Sequence, residues 1–137
     1  MNSHARFIAF RLLPGDDLLE GVSRHVSTHQ IKAGWIAGVV GSLSRASLRF
    51  AAQAERTLLE DTFEIIALSG TLDAEGAHLH LSVADSQGVM LGGHVMPGCI
   101  VRTTCELVVG DLESISFHRA PCPLSGYDEL VVSSRNP

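Results

Sequence analysis

The chain has 137 residues, of which 45% are hydrophobic and 18% charged, and a formal net charge of −5 at pH 7. This length and composition indicate one globular domain whose core needs no disulfide or metal for stability. The acidic balance disfavours direct DNA binding, because DNA-binding proteins draw most of their affinity from Lys and Arg side chains on phosphates. We therefore expect one domain over residues 1–137, with a core at about 6–132.

Localisation signals and cysteine usage point to the cytoplasm. The N-terminal residues lack the apolar segment of a signal peptide, and no apolar run approaches the roughly 20 residues of a membrane span. Cys99, Cys105 and Cys122 show no CxxC spacing and are predicted to be buried small side chains. Cys99 lies five residues beyond His94, close enough in sequence to be an extra metal ligand. We expect a cytoplasmic protein with no membrane partner.

The first predicted elements are a strand and a helix. Arg6–Leu13 is predicted to be a strand, and Asp17–His29 a helix with a capping-box spacing from Asp17 to Glu20. The apolar stripe of this helix comprises Leu18, Leu19, Val22 and Val26. A histidine pair at positions 25 and 29 lies one turn apart on it, a spacing that permits metal chelation but is more typical of a solvated face.

The remainder of the chain is predicted to be rich in strands. Ala33–Val40 and Ser44–Ala52 are predicted as two strands, with Gln53–Asp61 as a loop. The later strands are predicted at Phe63–Leu72, Ala77–Asp85, Val89–Val95, Ile100–Val109, Glu113–Arg119 and Tyr127–Val132. This order predicts an α+β fold, in which one or two helices flank an antiparallel β-sheet. Strand segments such as Leu107-Val108-Val109 are apolar on both faces, which favours subunit association.

The segment from His78 to His94 has the pattern of a metal-binding hairpin. His78 and His80 share one face of a strand, and Ser86-Gln87-Gly88 is a turn signal. With Gln87 at the apex of the hairpin, His80 lies directly opposite His94. Three imidazole nitrogens suit zinc and leave a fourth coordination position open for water or a ligand. The alternative is a pair of solvated histidines on an exposed strand.

Two features of this hairpin have more than one interpretation. Consecutive Gly92 and Gly93 indicate either a β-bulge, which would re-aim His94, or a close backbone approach. Asp85 is expected to close the turn by accepting backbone hydrogen bonds, and its alternative role is to orient a metal-binding histidine.

The chain resembles the plant-and-prokaryote-conserved (PPC) domain family from about Arg11 to Leu130. The motifs that carry the resemblance occur in the family's order: Arg11-Leu12 with Gly15 and Leu18, Gly41–Arg49, Phe63-Glu64-Ile65 with Leu68-Ser69-Gly70, His78-Leu79-His80 through Gly92-Gly93-His94, Thr104-Cys105-Glu106, and Phe117-His118-Arg119. The resemblance implies an antiparallel sheet flanked by helices, a homotrimer, and a metal at His78, His80 and His94. The plant members carry AT-hooks, and no such Arg-Gly-Arg-Pro core occurs in this sequence.

Further residues are candidates for a pocket or for the support of the metal ligands. They are Ser42, Asp85, Gly92, Gly93 and Arg119. Glu106 is the candidate general acid or base if the metal activates water, and its alternative role is an ion pair with Arg119 or Arg11. Ser42 lies outside any G-x-S-x-G nucleophile elbow, so it either lines a pocket or caps a turn.

Three functional hypotheses follow from these features. The first is a homotrimeric protein with a three-histidine zinc site beside a small-molecule pocket, with catalysis left open. The second is a regulatory or protein-interaction module whose histidines have a structural role. The third is direct DNA binding, which rests on the family association and which the acidic charge disfavours.

Overall fold

The computed structural model describes residues 1–135, which form eight β-strands and one α-helix. The elements are β1 (Ala5–Leu12), α1 (Leu18–Thr28), β2 (Gly34–Arg49), β3 (Thr57–Asp73), β4 (Gly76–Ala84), β5 (Met90–Val95), β6 (Ile100–Leu112), β7 (Ile115–Pro121) and β8 (Asp128–Ser134). The α+β prediction is confirmed, with one helix in the described residues where one or two were expected.

The helix begins at the capping residue that the sequence predicts. The Asp17 carboxylate accepts the backbone N–H of Glu20 at 3.0 Å, which satisfies one of the free donors of the first turn. Its second oxygen accepts the Gly98 N–H at 2.6 Å and ties the helix start to the β5–β6 connection. The buried stripe of the helix includes Leu18, Val22 and Val26. This helix covers one end of the inner face of the sheet.

Six of the eight strands form one antiparallel sheet in the order β1-β6-β2-β3-β4-β5. Strand β2 is long enough to pair a second time, because its last two residues pair with β5 as Leu48↔Val95 and Arg49↔His94. Strands β2 to β5 therefore close on themselves, and the end of β2 lies beside the β4–β5 hairpin. Strands β7 and β8 form a separate hairpin.

Strand β2 corrects two sequence predictions. In place of the two predicted strands Ala33–Val40 and Ser44–Ala52 there is one continuous strand, Gly34–Arg49, which passes through Gly41. A Cβ at Gly41 would lie 2.7 Å from Cys105 Cα, so this glycine permits the close approach of β6. The predicted loop Gln53–Asp61 is also too long, since β3 already begins at Thr57.

The inner face of the sheet forms the core, and the outer face retains exposed apolar side chains. Leu79 and Leu81 of β4 and Leu107 of β6 are almost fully buried. On the outer face, Phe7 and Val40 remain 63% and 57% exposed. In residues 1–135, no helix has the length and apolar character required to cross a bilayer.

Candidate metal centre

The β4–β5 hairpin has the register that the sequence predicts. His80 lies directly opposite His94, and Leu81 lies opposite Gly93. The Asp85 carboxylate accepts the backbone N–H groups of Gln87 and Val89, both at 2.9 Å, and so closes the turn. The structural interpretation of Asp85 is thereby confirmed.

Three histidines converge on the outer face of this hairpin. His78 and His80 point away from the core because the intervening Leu79 and the following Leu81 point into it. One nitrogen from each of His78, His80 and His94 lies within 4.8 Å of the other two. The ring centroids are 5.1 Å apart for His78–His80, 5.1 Å for His78–His94 and 5.7 Å for His80–His94. Local geometry therefore brings three potential metal-binding nitrogens together.

The surroundings of His78 and His94 favour neutral imidazoles, which are the form that binds metal. Burial lowers the pKa of His94 below its ordinary value, and nearby His78 and Arg49 lower it further. Burial also lowers the pKa of His78, with a further reduction from His80. The carboxylate of Glu129 acts in the opposite direction on His78. The lowered pKa values of His78 and His94 favour metal binding, because a histidine must be neutral to coordinate a metal.

A row of polar side chains crosses four strands at the level of His94. Arg49 of β2 pairs with His94 of β5, His94 pairs with His80 of β4, and His80 pairs with Ser69 of β3. Directly opposed residues project on the same side of an antiparallel pair. Arg49 was not singled out from the sequence, because its position depends on the second pairing of β2, which hairpin spacing cannot reveal.

The histidines line an open cavity of about 450 Å³ on this face. Gly92 and Gly93 form part of its wall, and neither is at a register shift between β4 and β5. A Cβ at Gly92 would lie 2.7 Å from the Leu81 carbonyl oxygen, and one at Gly93 would lie 2.9 Å from that of Arg49. The two glycines therefore permit a close backbone approach, and the β-bulge alternative is wrong.

Arg119 lines an adjoining cavity that Arg49, His78 and His94 also line. Its Nε lies 3.4 Å from the fully buried carboxylate of Asp73, and its guanidinium donates a hydrogen bond of 2.9 Å to the Thr71 hydroxyl. Thr71 pairs directly with His78. Arg119 is thus placed near the cluster, with its charge balanced by Asp73.

Two predicted residues lie away from the histidines. Ser42 is buried inside β2, where its hydroxyl forms a 2.6 Å hydrogen bond with that of Thr103. Glu106 is exposed on β6 and lines a different cavity, and its carboxylate accepts a 3.4 Å hydrogen bond from the Thr104 hydroxyl. A role for either residue at the metal site stays a prediction.

The cysteines divide into two buried residues and one that is partly exposed. Burial raises the pKa of Cys99 to about 11 and that of Cys105 to about 12. The Cys99 thiol contacts the backbone of Ser47 in the core and does not belong to the histidine cluster. Cys122 is only partly buried, because it lies in the β7–β8 connection, so its predicted burial is wrong. Backbone N–H groups that donate to its sulfur lower its pKa.

Comparison with known proteins identifies the family. The model of the Plants and Prokaryotes Conserved (PCC) domain matches residues 2–113. The chain belongs to this family. This confirms the PPC resemblance seen in the sequence motifs, and the matched range contains β1 to β6 and the three clustered residues His78, His80 and His94.

Several relatives share this domain. A hypothetical protein from Salmonella enterica is 54% identical, with a TM-score of 0.98 over 99% of each chain. The bifunctional protein GlmU of Synechococcus sp. (strain JA-3-3Ab) is 48% identical over 93% of this chain. The chain spans only 20% of the length of that relative.

Two more distant structures share the fold alone. A metal-containing protein from Archaeoglobus fulgidus has a TM-score of 0.79 at 22% identity, and the alignment covers 95% of this chain and 96% of that one. A protein from Bacteroides thetaiotaomicron described as a candidate DNA-binding protein has a TM-score of 0.79 at 20% identity, with coverage of 94% and 96%.

Proposed function

We propose that this PCC domain binds a metal ion through His78, His80 and His94, and that a small molecule occupies the remaining coordination position. The observation that carries the proposal is the approach of three imidazole nitrogens to within 4.8 Å of one another. Nitrogens that share one zinc ion at about 2.0–2.1 Å lie at most about 4.2 Å apart. Small rotations of the three side chains would bring these nitrogens onto one ion.

Zinc is the ion that we propose for this site. Three neutral imidazoles with an open fourth position are a common ligand set of catalytic and ligand-binding zinc sites. When bound, zinc lowers the pKa of a coordinated water toward about 7 and polarises oxygen ligands. The metal content of the Archaeoglobus relative supports a metal in this fold. The imidazole set also accepts copper, iron and nickel, so metal analysis decides the ion.

We also propose that the protein is a homotrimer. The outer face of β1, β6 and β2 exposes 63% of Phe7, 57% of Val40 and 39% of Val108. An apolar patch that spans neighbouring strands is typical of a surface covered by a second subunit. The trimeric state itself comes from the family resemblance. The free cysteines agree with a reducing compartment, and we place the protein in the cytoplasm.

Assembly is tested by placing a charge on this face. In the assembly proposed here, the wild type sediments at three times the chain mass of 14.6 kDa. Val40→Asp is expected to give monomers, because it would bury an unpaired carboxylate. Val89→Asp serves as the control, because Val89 is equally exposed but lies at the hairpin turn. Wild-type monomers at micromolar concentration would contradict the proposal.

A catalytic reaction places a further requirement on the assembly. Glu106 and the histidines line different cavities of one chain, so a general acid–base role for Glu106 requires that another subunit bring it to the site. Glu106→Gln would then abolish turnover and leave metal content unchanged. Loss of both would instead indicate a structural role.

The alternative function is a regulatory module, including one that contacts DNA. The name of the Bacteroides relative favours it, and the exposed apolar face suits a protein partner. The chain has 10 Lys and Arg residues against 15 Asp and Glu residues, which opposes phosphate binding. DNA affinity that falls steeply with salt concentration would support this alternative, whereas a flat response would refute contact with phosphates.

The metal proposal is tested by metal analysis of three proteins. After equilibration with micromolar zinc and desalting, the wild type is expected to retain about one ion per chain. His80→Ala is expected to lose it, because two imidazoles remain. His4→Ala is the matched control, since His4 is exposed and lies outside the cluster. Wild-type protein without zinc would refute the proposed function.

A further inference from the structure

We propose that the cavity beside the three histidines binds a small organic oxyanion and that Arg49 supplies its counter-charge. The oxyanion is a carboxylate or phosphate group that also coordinates the metal. This inference rests on the proposed metal function and goes beyond it, because it names the chemical class of the ligand and a residue that selects it.

The position of Arg49 is fixed by the backbone. Arg49 and His94 are directly opposed in the short β2–β5 pairing. Opposed residues have Cβ atoms about 4.5–5.5 Å apart, so the Arg49 side chain starts next to a metal ligand. Both side chains line the same 450 Å³ cavity. An oxygen ligand of the metal in this cavity therefore lies within reach of the guanidinium.

Arg49 forms no direct ion pair with a carboxylate of residues 1–135. Among residues 1–135, the carboxylates that lie within 4.0 Å of an arginine contact Arg6, Arg24, Arg45, Arg119 and Arg135, and none contacts Arg49. Arg119 differs in this respect, because the buried Asp73 lies 3.4 Å from it. The free positive charge beside the histidines thus belongs to Arg49.

The lining of the cavity carries no negative charge that would offset the charge of Arg49. None of its lining residues within the described part of the chain is acidic. The acidic residues near the histidines, which are Asp73, Glu75, Asp128 and Glu129, line the adjoining cavity, and Arg49 lines that cavity as well. The first cavity thus combines the Arg49 side chain with the three histidines and has no carboxylate in its lining. With a divalent metal bound there, an oxyanion would form charge-assisted hydrogen bonds with Arg49.

The remaining walls limit the size and polarity of the ligand. Ser69 and Ser82 offer hydroxyl groups, whereas Phe50, Ala51 and Ala52 form an apolar side. Ala52 has a φ of 59°, a left-handed conformation that is uncommon for alanine and that turns the chain at the cavity edge. These walls suit an anionic head group on a short, partly apolar body.

The test uses protein loaded with Co²⁺, whose visible absorption responds to a change of ligand. Acetate and inorganic phosphate are titrated separately, so that the two arms distinguish a carboxylate from a phosphate head group, and acetamide is the uncharged control. The variants are Arg49→Met and Arg49→Lys. Arg45→Met is the matched control, because Arg45 lies on the same strand but pairs with Glu60 at 2.9 Å.

At least one anion is expected to shift the wild-type spectrum saturably, with no shift from acetamide. Arg49→Met should lower the affinity for that anion about tenfold to hundredfold. Arg49→Lys should lower the affinity less, and Arg45→Met should leave it unchanged. Cobalt stoichiometry and the thermal unfolding midpoint confirm that each variant is folded and loaded. The inference is overturned if neither anion shifts the wild-type spectrum, or if both Arg49 variants bind the anion as tightly as wild type. A wild type that takes up no cobalt refutes the metal function itself, and the inference with it.

Discussion

Replacement of Gly70 by alanine tests whether the site depends on the close contact between β3 and β4. Gly70 has a φ of 144° and faces the strand segment that carries His78. An added Cβ would clash with the His78 carbonyl group and lie 2.9 Å from Leu79 Cα. Ordinary carbon–carbon contacts are about 3.5–4.0 Å, so β4 would have to move by about 0.6 Å or more.

The magnitude follows from two unfavourable effects and one favourable effect. Overpacking costs about 1–3 kcal/mol and the strained backbone about 1–3 kcal/mol. The substitution also lowers the conformational entropy of the unfolded chain, which stabilises the folded protein by about 0.4–1 kcal/mol. We expect Gly70→Ala to lower the free energy of unfolding by about 1–5.5 kcal/mol, which corresponds to a fall in Tm of roughly 4–20 °C for a chain of this size.

The assay is thermal unfolding of the metal-free protein, followed by zinc titration of the folded variant. Gly76→Ala is the control, because a Cβ at Gly76 meets no atom within 4 Å. Zinc affinity should also fall in Gly70→Ala, since displacement of β4 moves two of the three histidines. Equal Tm values for the two variants would refute the packing argument, and unchanged zinc affinity would refute its link to the site.

Two further predictions concern stability away from the histidines. Burial lowers the pKa of His25 below 6.5, and its ring stacks on Phe10 with centroids 3.8 Å apart. The unfolded chain therefore binds more protons, and the free energy of unfolding falls as the pH falls through 6.5 toward the lowered pKa. Urea unfolding at pH 7.5 and 5.5 should show a smaller loss of stability for His25→Phe than for the wild type. An equal loss in the two proteins would contradict this. The fully buried Asp111 lies 3.1 Å from the Arg135 guanidinium, so Asp111→Ala should cost about 3–5 kcal/mol in denaturant titration. For the exposed Glu60, alanine should cost less than about 1 kcal/mol, and similar costs at the two sites would contradict the role of burial.

Local sequence patterns were sufficient for the hairpin that carries the site. Alternation of His78, Leu79 and His80 fixed which side chains face outward, and the turn at Gln87 fixed the register with His94. Each of these inferences spans fewer than about twenty residues and needs only strand geometry. The histidine cluster was therefore predictable before any tertiary contact was known.

The parts that sequence patterns missed depend on long-range pairing. Gly41 resembles a strand end in sequence but lies where β6 passes closely over β2. Arg49 lies beside the histidines only because the last two residues of β2 pair with β5, where Arg49 is opposite His94. The strand that carries the candidate residue Glu106, β6, pairs with β1 and β2 and not with the histidine hairpin, which no local pattern indicates. None of these contacts has a local periodicity from which it could be inferred.

X-ray absorption at the zinc K-edge tests the central claim most directly. For zinc-loaded wild-type protein, we expect three nitrogen neighbours at about 2.0–2.1 Å with the outer-shell scattering of three imidazole rings, and one further light atom. His80→Ala should lose one imidazole contribution or the ion altogether. Sulfur neighbours at about 2.3 Å, or fewer than three imidazole rings in the wild type, would contradict a metal centre formed by His78, His80 and His94.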